Sequence, residues 1–186
     1  MILGTADIFL LVFIVAALVL GFFWGSVRSL LLAAAWLIAF LAGAYLMVQF
    51  GTYLADQWEN FPATFSEMAA FGIVYVGLLI ASPVIVFLVS RSYSNLTRYQ
   101  VADDLLGAAL AVFVALLCIA GLEIVLATFY GSGTTVDAGG GPQWTANLWD
   151  SLINSTIGGA IWDYLVPVIG WILGPILPAD VSAVFG

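Results

Sequence analysis

Asp103 and Asp104 are the only adjacent carboxylates in the chain, and side by side they could hold a divalent cation at a surface. Hard cations, however, take six or more oxygen ligands, and the neighbouring residues supply no further carboxylate. Aspartates at the head of an apolar run also cap a helix, satisfying free N–H groups and complementing the helix dipole. Capping is the expected role here. Glu123 is the one ionisable residue inside a long apolar run, the setting in which a carboxylate serves ion or proton passage. Counting from Leu105 at about 1.5 Å per residue places it about 27 Å along its helix, so it is expected to snorkel to water near the outer interface. Cys118 is the single cysteine; it has no internal disulfide partner and reads as a small buried hydrophobe.

The residue types that are missing exclude more chemistry than those present suggest. Lysine and histidine are absent, and Arg28, Arg91 and Arg98 are the only basic residues. There is no lysine for a phosphate-binding loop or a Schiff base, and no histidine for general-base catalysis or metal ligation. A net charge of −8 removes a basic nucleic-acid footprint. The chain is therefore expected to be no enzyme, with no cofactor, no metal and no nucleic-acid partner.

These residues must be held by elements suited to lipid. Hydrophobic residues make up 64% of the chain and charged residues 8%, whereas soluble domains carry about 25% charged residues. Four runs have spanning length: Ile8–Trp24, Leu30–Phe50, Met68–Val89 and Leu105–Phe129. The predicted fold class is an all-α integral membrane protein of four transmembrane helices, with amphipathic or interfacial helices at the C-terminus. The four-helix domain covers 1–130, a glycine-rich loop 131–142 and the amphipathic region 143–186. The first segment lacks the positive start of a signal peptide and reads as retained.

Arg28 falls between the first two runs, and Arg91 and Arg98 between the last two, so the positive-inside rule places both connections in the cytoplasm. Both termini are then outside, together with Asp7, Asp56, Glu59, Glu67 and the acidic residues of the C-terminal third. The expected location is the bacterial cytoplasmic (inner) membrane, crossed several times, with the termini on the periplasmic side.

Small residues mark possible helix contacts, because in lipid close packing holds helices together. Gly21 and Gly25 are four apart; they form a contact face or merely reflect the abundance of glycine in membrane helices. Gly107, Ala111 and Ala115 make a smooth stripe that is expected to face a neighbour. Ser82-Pro83 should kink the third run, as a hinge or as a break that neighbours repair. From 143 to 163, Trp144, Leu148 and Leu152, with Trp149, Ile153, Ile157 and Ile161, recur at helical spacing opposite Asn147, Asp150, Ser151 and Asn154. Such a helix should lie on a membrane or a protein partner. The segment 157–177 is apolar but contains Asp163, Pro167, Gly170, Gly174 and Pro175. A fifth span is possible there, but broken interfacial helices are expected because water satisfies the breaks.

The order Asp7, then Gly21-Phe22-Phe23-Trp24-Gly25-Ser26-Val27-Arg28, Trp36, and Asp103-Asp104-Leu105-Leu106-Gly107 resembles the colicin V production protein (CvpA) family. The resemblance implies four spans and a variable C-terminal region, and brings no enzymatic activity or cofactor. The family tends to place arginine where this chain has Trp24, Asp104 and Val114, and an acidic residue where it has Ser29. Replacement of charge by apolar or small groups suits packing against other apolar surfaces. The expected function is a non-enzymatic accessory or scaffold subunit, with the bilayer and a larger membrane protein or complex (respiratory, photosynthetic or secretion type) as partners. The alternative is a component of a small-solute or toxin-export transporter or channel.

Overall fold

The structure, a computed structural model, describes residues 4–58, 62–90, 100–131 and 142–185. Among these there is no strand, as the absence of any period-two apolar alternation leads one to expect. Helix α1 is Thr5–Gln57, α2 is Ala63–Ser90 and α3 is Gln100–Tyr130. The shorter α4 is Gln143–Ile153, α5 is Thr156–Leu173, and α6 is Ala179–Ser182, which ends in a 3-10 turn at Ala183–Phe185. Four helices are long and apolar enough to cross a membrane: α1, α2, α3 and α5.

Helix α1 is one element only in its hydrogen bonding, because Gly25 stands at φ 77°, ψ 174° inside it. That left-handed value is open to glycine and strained for other residues. The chain reverses there. In the first arm, residues 5–24, Gly21 lies against Gly107, Ala108 and Ala111 of α3. In the second arm, residues 26–57, the Ser29 hydroxyl stands 3.0 Å from Gly107 O, and Trp36 lies beside Gly121. Climbing the second arm therefore climbs α3, whereas climbing the first arm descends it. The two expected runs Ile8–Trp24 and Leu30–Phe50 are thus the two arms of α1, and the break between them is a single glycine. Helix α2 runs antiparallel to the second arm: Gly51 meets Glu67, Gly43 meets Phe71, and Arg28 Nε donates to Ser90 Oγ at 2.9 Å.

Pro83 sits inside α2 and cannot donate to Leu79 O. The preceding Ser82 Oγ donates to that carbonyl instead, at 2.9 Å. The break is repaired locally, without help from a neighbouring helix.

The three long helices meet in a core of Trp36, Phe40, Phe71, Tyr75, Ala120 and Ile124. Its polar atoms form one chain: Trp36 Nε1 donates to the Tyr75 hydroxyl at 2.8 Å, and that hydroxyl donates to Cys118 O at 3.1 Å. Cys118 itself is a half-buried free thiol at the edge of this core.

Helix α5 departs from the broken interfacial pieces expected for 157–177. It runs without interruption from Thr156 to Leu173, past Asp163 and Pro167. A π turn at Ile161–Leu165, in which Val166 N–H bonds Ile161 O, widens the helix just ahead of the proline and makes room for its ring. Its length and composition would allow a crossing, but its contacts tie both ends to one end of the bundle. Ile157 N donates to Asp7 Oδ1 at 2.9 Å, and Tyr45 donates to Ile176 O just beyond the helix. At about 1.5 Å per residue from the Gly25 turn, Asp7 stands about 27 Å up the first arm and Tyr45 about 30 Å up the second. The first arm ends there while the second continues to Gln57. Helix α5 fills the step left by the shorter arm, burying Ile161, Val166, Ile169 and Leu173 against the bundle.

Candidate functional site: a lateral groove and an enclosed carboxylate

Small residues dictate two close approaches at the arginine end of the bundle. A Cβ on Gly107 would strike Gly25 at 2.5–2.7 Å, and one on Gly21 would strike Ala111 and Gly107. Gly21, Gly25, Gly107 and Ala111 thus form one contact between the first arm and α3, joined by buried Ala115 one turn on. Asp103 closes that contact. Its carboxylate accepts from Ser26 N at 3.2 Å and from the Ser26 hydroxyl. Asp103 stands in the first turn of α3, at the helix head where it was expected, and its carboxylate also caps the second arm where that helix restarts after Gly25. Asp104 is half-buried beside it. Arg28, at the same end, lies 5.8 Å from the Phe87 ring centroid in addition to its bond to Ser90. Arg91 and Arg98 lie outside the described residues, as does most of the glycine-rich loop.

Above this contact the first arm and α2 diverge, leaving a lateral groove of about 470 Å³. Phe13, Ala17 and Leu20 form one wall, Val76, Leu79 and Ile80 the opposite wall, and Ala111, Val114 and Ala115 the floor. Trp24 and Ser29 close its lower end. Trp24, Ser29 and Val114 are three of the positions at which the family resemblance implies charged residues. Trp24 and Ser29, five residues apart, meet the distant Val114 in this groove.

At the opposite end Glu123 is fully buried, which corrects the expectation that it snorkels to water. The distance along its helix was sound, but the segment 152–158 folds back over it and excludes solvent. Neither carboxylate oxygen has a hydrogen-bond partner. Asp7, buried at the head of the first arm, holds the covering segment in place: Oδ1 accepts from Ile157 N at 2.9 Å and Oδ2 from Gly4 N at 3.0 Å. Ser155 caps the start of α5, accepting from Gly158 N at 2.8 Å and donating to Leu152 O at 2.8 Å.

Helix α4 divides the apolar residues of its helical spacing between the bundle and the outside. Thr145, Ala146 and Leu152 are buried, and Trp149 packs edge-on against Trp162 at 5.4 Å. Trp144 and Leu148 are exposed. The reason is polar: the Tyr130 hydroxyl meets Thr145 Oγ1 at 2.5 Å, and that hydroxyl bonds Pro142 O at 2.7 Å, which fixes the rotation of the helix. Asp7, Ser155 and Gly158 were not among the predicted site residues. Asp7 had a visible signal, an acidic residue directly ahead of an uncharged run of spanning length.

No group of three or more cysteine or acidic side chains able to hold a metal ion occurs among the described residues. Residues 6–157 match the family model described as colicin V production protein. No curated protein and no solved structure matches the chain.

Proposed function

The chain belongs to the colicin V production protein family, and from that premise we propose that it is a non-enzymatic accessory or scaffold subunit that receives an apolar helix of a larger membrane protein. The observation that carries this reading is the lateral groove. At the positions of Trp24, Ser29 and Val114 the resemblance implies two arginines and an acidic residue, which would give relatives a charged groove. Here the lining is almost wholly apolar, with small residues on the floor that let another backbone approach closely. Absence of lysine and histidine leaves little for catalysis, and Asp103 is engaged in capping.

Such a subunit works by contact in the bacterial inner membrane, with the arginine end in the cytoplasm and both termini outside. The test is gentle solubilisation of the full chain from its native membrane, with stoichiometry measured for whatever co-purifies. Groove-filling variants Ala16→Phe and Ala17→Phe should release a stoichiometric partner while leaving the chain folded. A monomeric, partner-free native chain in mild detergent would count against the proposal. So would a partner retained undiminished by both variants.

A second reading, as a component of a small-solute or toxin-export transporter, is favoured by one feature, the enclosed carboxylate of Glu123. Solute or proton flux in proteoliposomes that is unchanged by Glu123→Gln would remove that support.

A further inference from the structure

The segment that covers Glu123 brings oxygen atoms towards it and makes no hydrogen bond to it. Leu152 O, Ser155 Oγ and Glu123 Oε1 all lie within 3.0 Å of the place a Cβ on Gly158 would occupy. Glycine at 158 is what allows them to converge. Three donors of the segment are already committed: the Ser155 hydroxyl to Leu152 O, Gly158 N to Ser155 Oγ, and Ile157 N to Asp7. Both oxygens of Glu123 are left without a partner at 0% exposure.

Among the described residues no nearby charge compensates. The first arm presents Asp7, already an acceptor of two N–H groups; α4 carries Asp150 and α5 carries Asp163, both exposed. On α3 itself the nearest titratable group is Cys118, and from α2 the Tyr75 hydroxyl is tied to Trp36 and Cys118 O. Arg28 is at the other end of the bundle. An isolated carboxylate in such surroundings costs several kcal/mol or more. One added positive charge resolves the conflict. A metal cation would need six or so oxygens, whereas a proton needs no space and removes the charge of the enclosed carboxylate.

We propose that Glu123 is a proton-binding site at the outer end of the bundle, occupied while segment 152–158 is packed over it and emptied when that segment lifts. On lifting, the carboxyl O–H bond breaks, the proton passes to entering water, and the carboxylate that remains is solvated. Re-docking takes the proton back. Docking of α5 is thereby linked to the acidity of the compartment it faces: proton binding and closure favour each other, so acid closes the latch and alkali opens it.

The test is hydrogen–deuterium exchange at the Ile157 and Gly158 amides of the full chain in lipid nanodiscs, with Glu123→Gln measured at the same pH to cancel intrinsic exchange. Gln keeps the shape and donor capacity of the protonated acid. Relative to that variant, native protection should fall about tenfold per pH unit once the site titrates. A ratio that stays flat from about pH 5 to about pH 10 would overturn the proposal. Infrared spectra of the native chain provide a measurement that does not depend on the variant folding. A carboxylic acid C=O band shielded from D₂O should persist at about pH 8, where exposed carboxyls are ionised; its absence overturns the proposal. Exchange that depends on sodium at fixed pH would overturn it as well, in favour of a metal cation.

Discussion

At the scale of single residues, the reversal at Gly25 depends on two side chains, one absent and one present. A Cβ at Gly25 would suffer the positive φ of 77° and would lie 2.6 Å from Asp103 Oδ2. Removing Asp103 would leave the first free N–H of the second arm and the Ser26 hydroxyl without their acceptor. Gly25→Ala and Asp103→Ala should each lower stability by about 1–3 kcal/mol, read as the unfolding midpoint in detergent. Asp104→Ala should stay within about 0.5 kcal/mol of the native chain. The double variant should lose less than the two single losses added together, since both disturb one turn. Gly25 and Asp103 were singled out in sequence, by the Gly21 and Gly25 spacing and by the acidic pair at the head of an apolar run. That Asp103 also caps the second arm was not legible, because that acceptor role is exercised on Ser26, 77 residues away. Glu123 failed for the same reason in a stronger form. Depth along a helix follows from counting, but enclosure depends on a segment about 30 positions later that returns only in three dimensions.

At the scale of elements, α2 shows how a membrane helix keeps a proline. Leu79 O is satisfied by Ser82 Oγ because residue 83 has no N–H to offer. Ser82→Ala should therefore cost about 1–3 kcal/mol, the usual result of orphaning a buried carbonyl. In a Pro83→Ala background the same change should be close to neutral, since the new amide at 83 takes over Leu79 O. A double-mutant cycle on unfolding midpoints measures this coupling; additive effects would show that the serine bond contributes nothing. The long helices themselves were readable: uncharged runs of spanning length admit little but helix, because lipid offers no partner to exposed backbone. Helices α4 and α5 were readable only as helices. In α4, apolar residues occupy more than one face, so periodicity alone cannot choose between Trp144 and Trp149 as the tryptophan that packs against the core. Bonding of Tyr130 to Thr145 makes the choice. In α5 the prolines and Asp163 suggested a break, but the π turn absorbs Pro167, and Asp163 is exposed on the outer face.

At the scale of the whole molecule, the two ends of the bundle are chemically opposed. Arg28, Ser90, Gly25 and Asp103 share one end; the connection that carries Arg91 and Arg98 starts from Ser90, at that end. Asp7, Glu67, the segment over Glu123 and the α6 turn share the other, where Asp180 stands close enough to Glu67 for their charges to interact. Basic residues near span ends are retained on the cytoplasmic side and acidic ones contribute little to orientation. On that rule the three arginines are expected to set the direction of the entire bundle. Reporter domains fused after residue 186 should be active only if they work outside the cytoplasm, and a fusion in the Arg91–Arg98 connection only if it works inside. Changing Arg28, Arg91 and Arg98 together to Gln should give a mixed population, with both reporter types active at the C-terminal site. Of these, Arg28 also bonds Ser90 and stacks on Phe87, so its single change tests packing and topology at once. Arg91→Gln with Arg98→Gln, leaving Arg28 in place, separates the two effects: orientation should weaken while the unfolding midpoint stays within the range of ordinary surface changes, about 0.5 kcal/mol. Retention of a single orientation by the triple variant would show that the acidic outer end, rather than the arginines, fixes the direction of insertion.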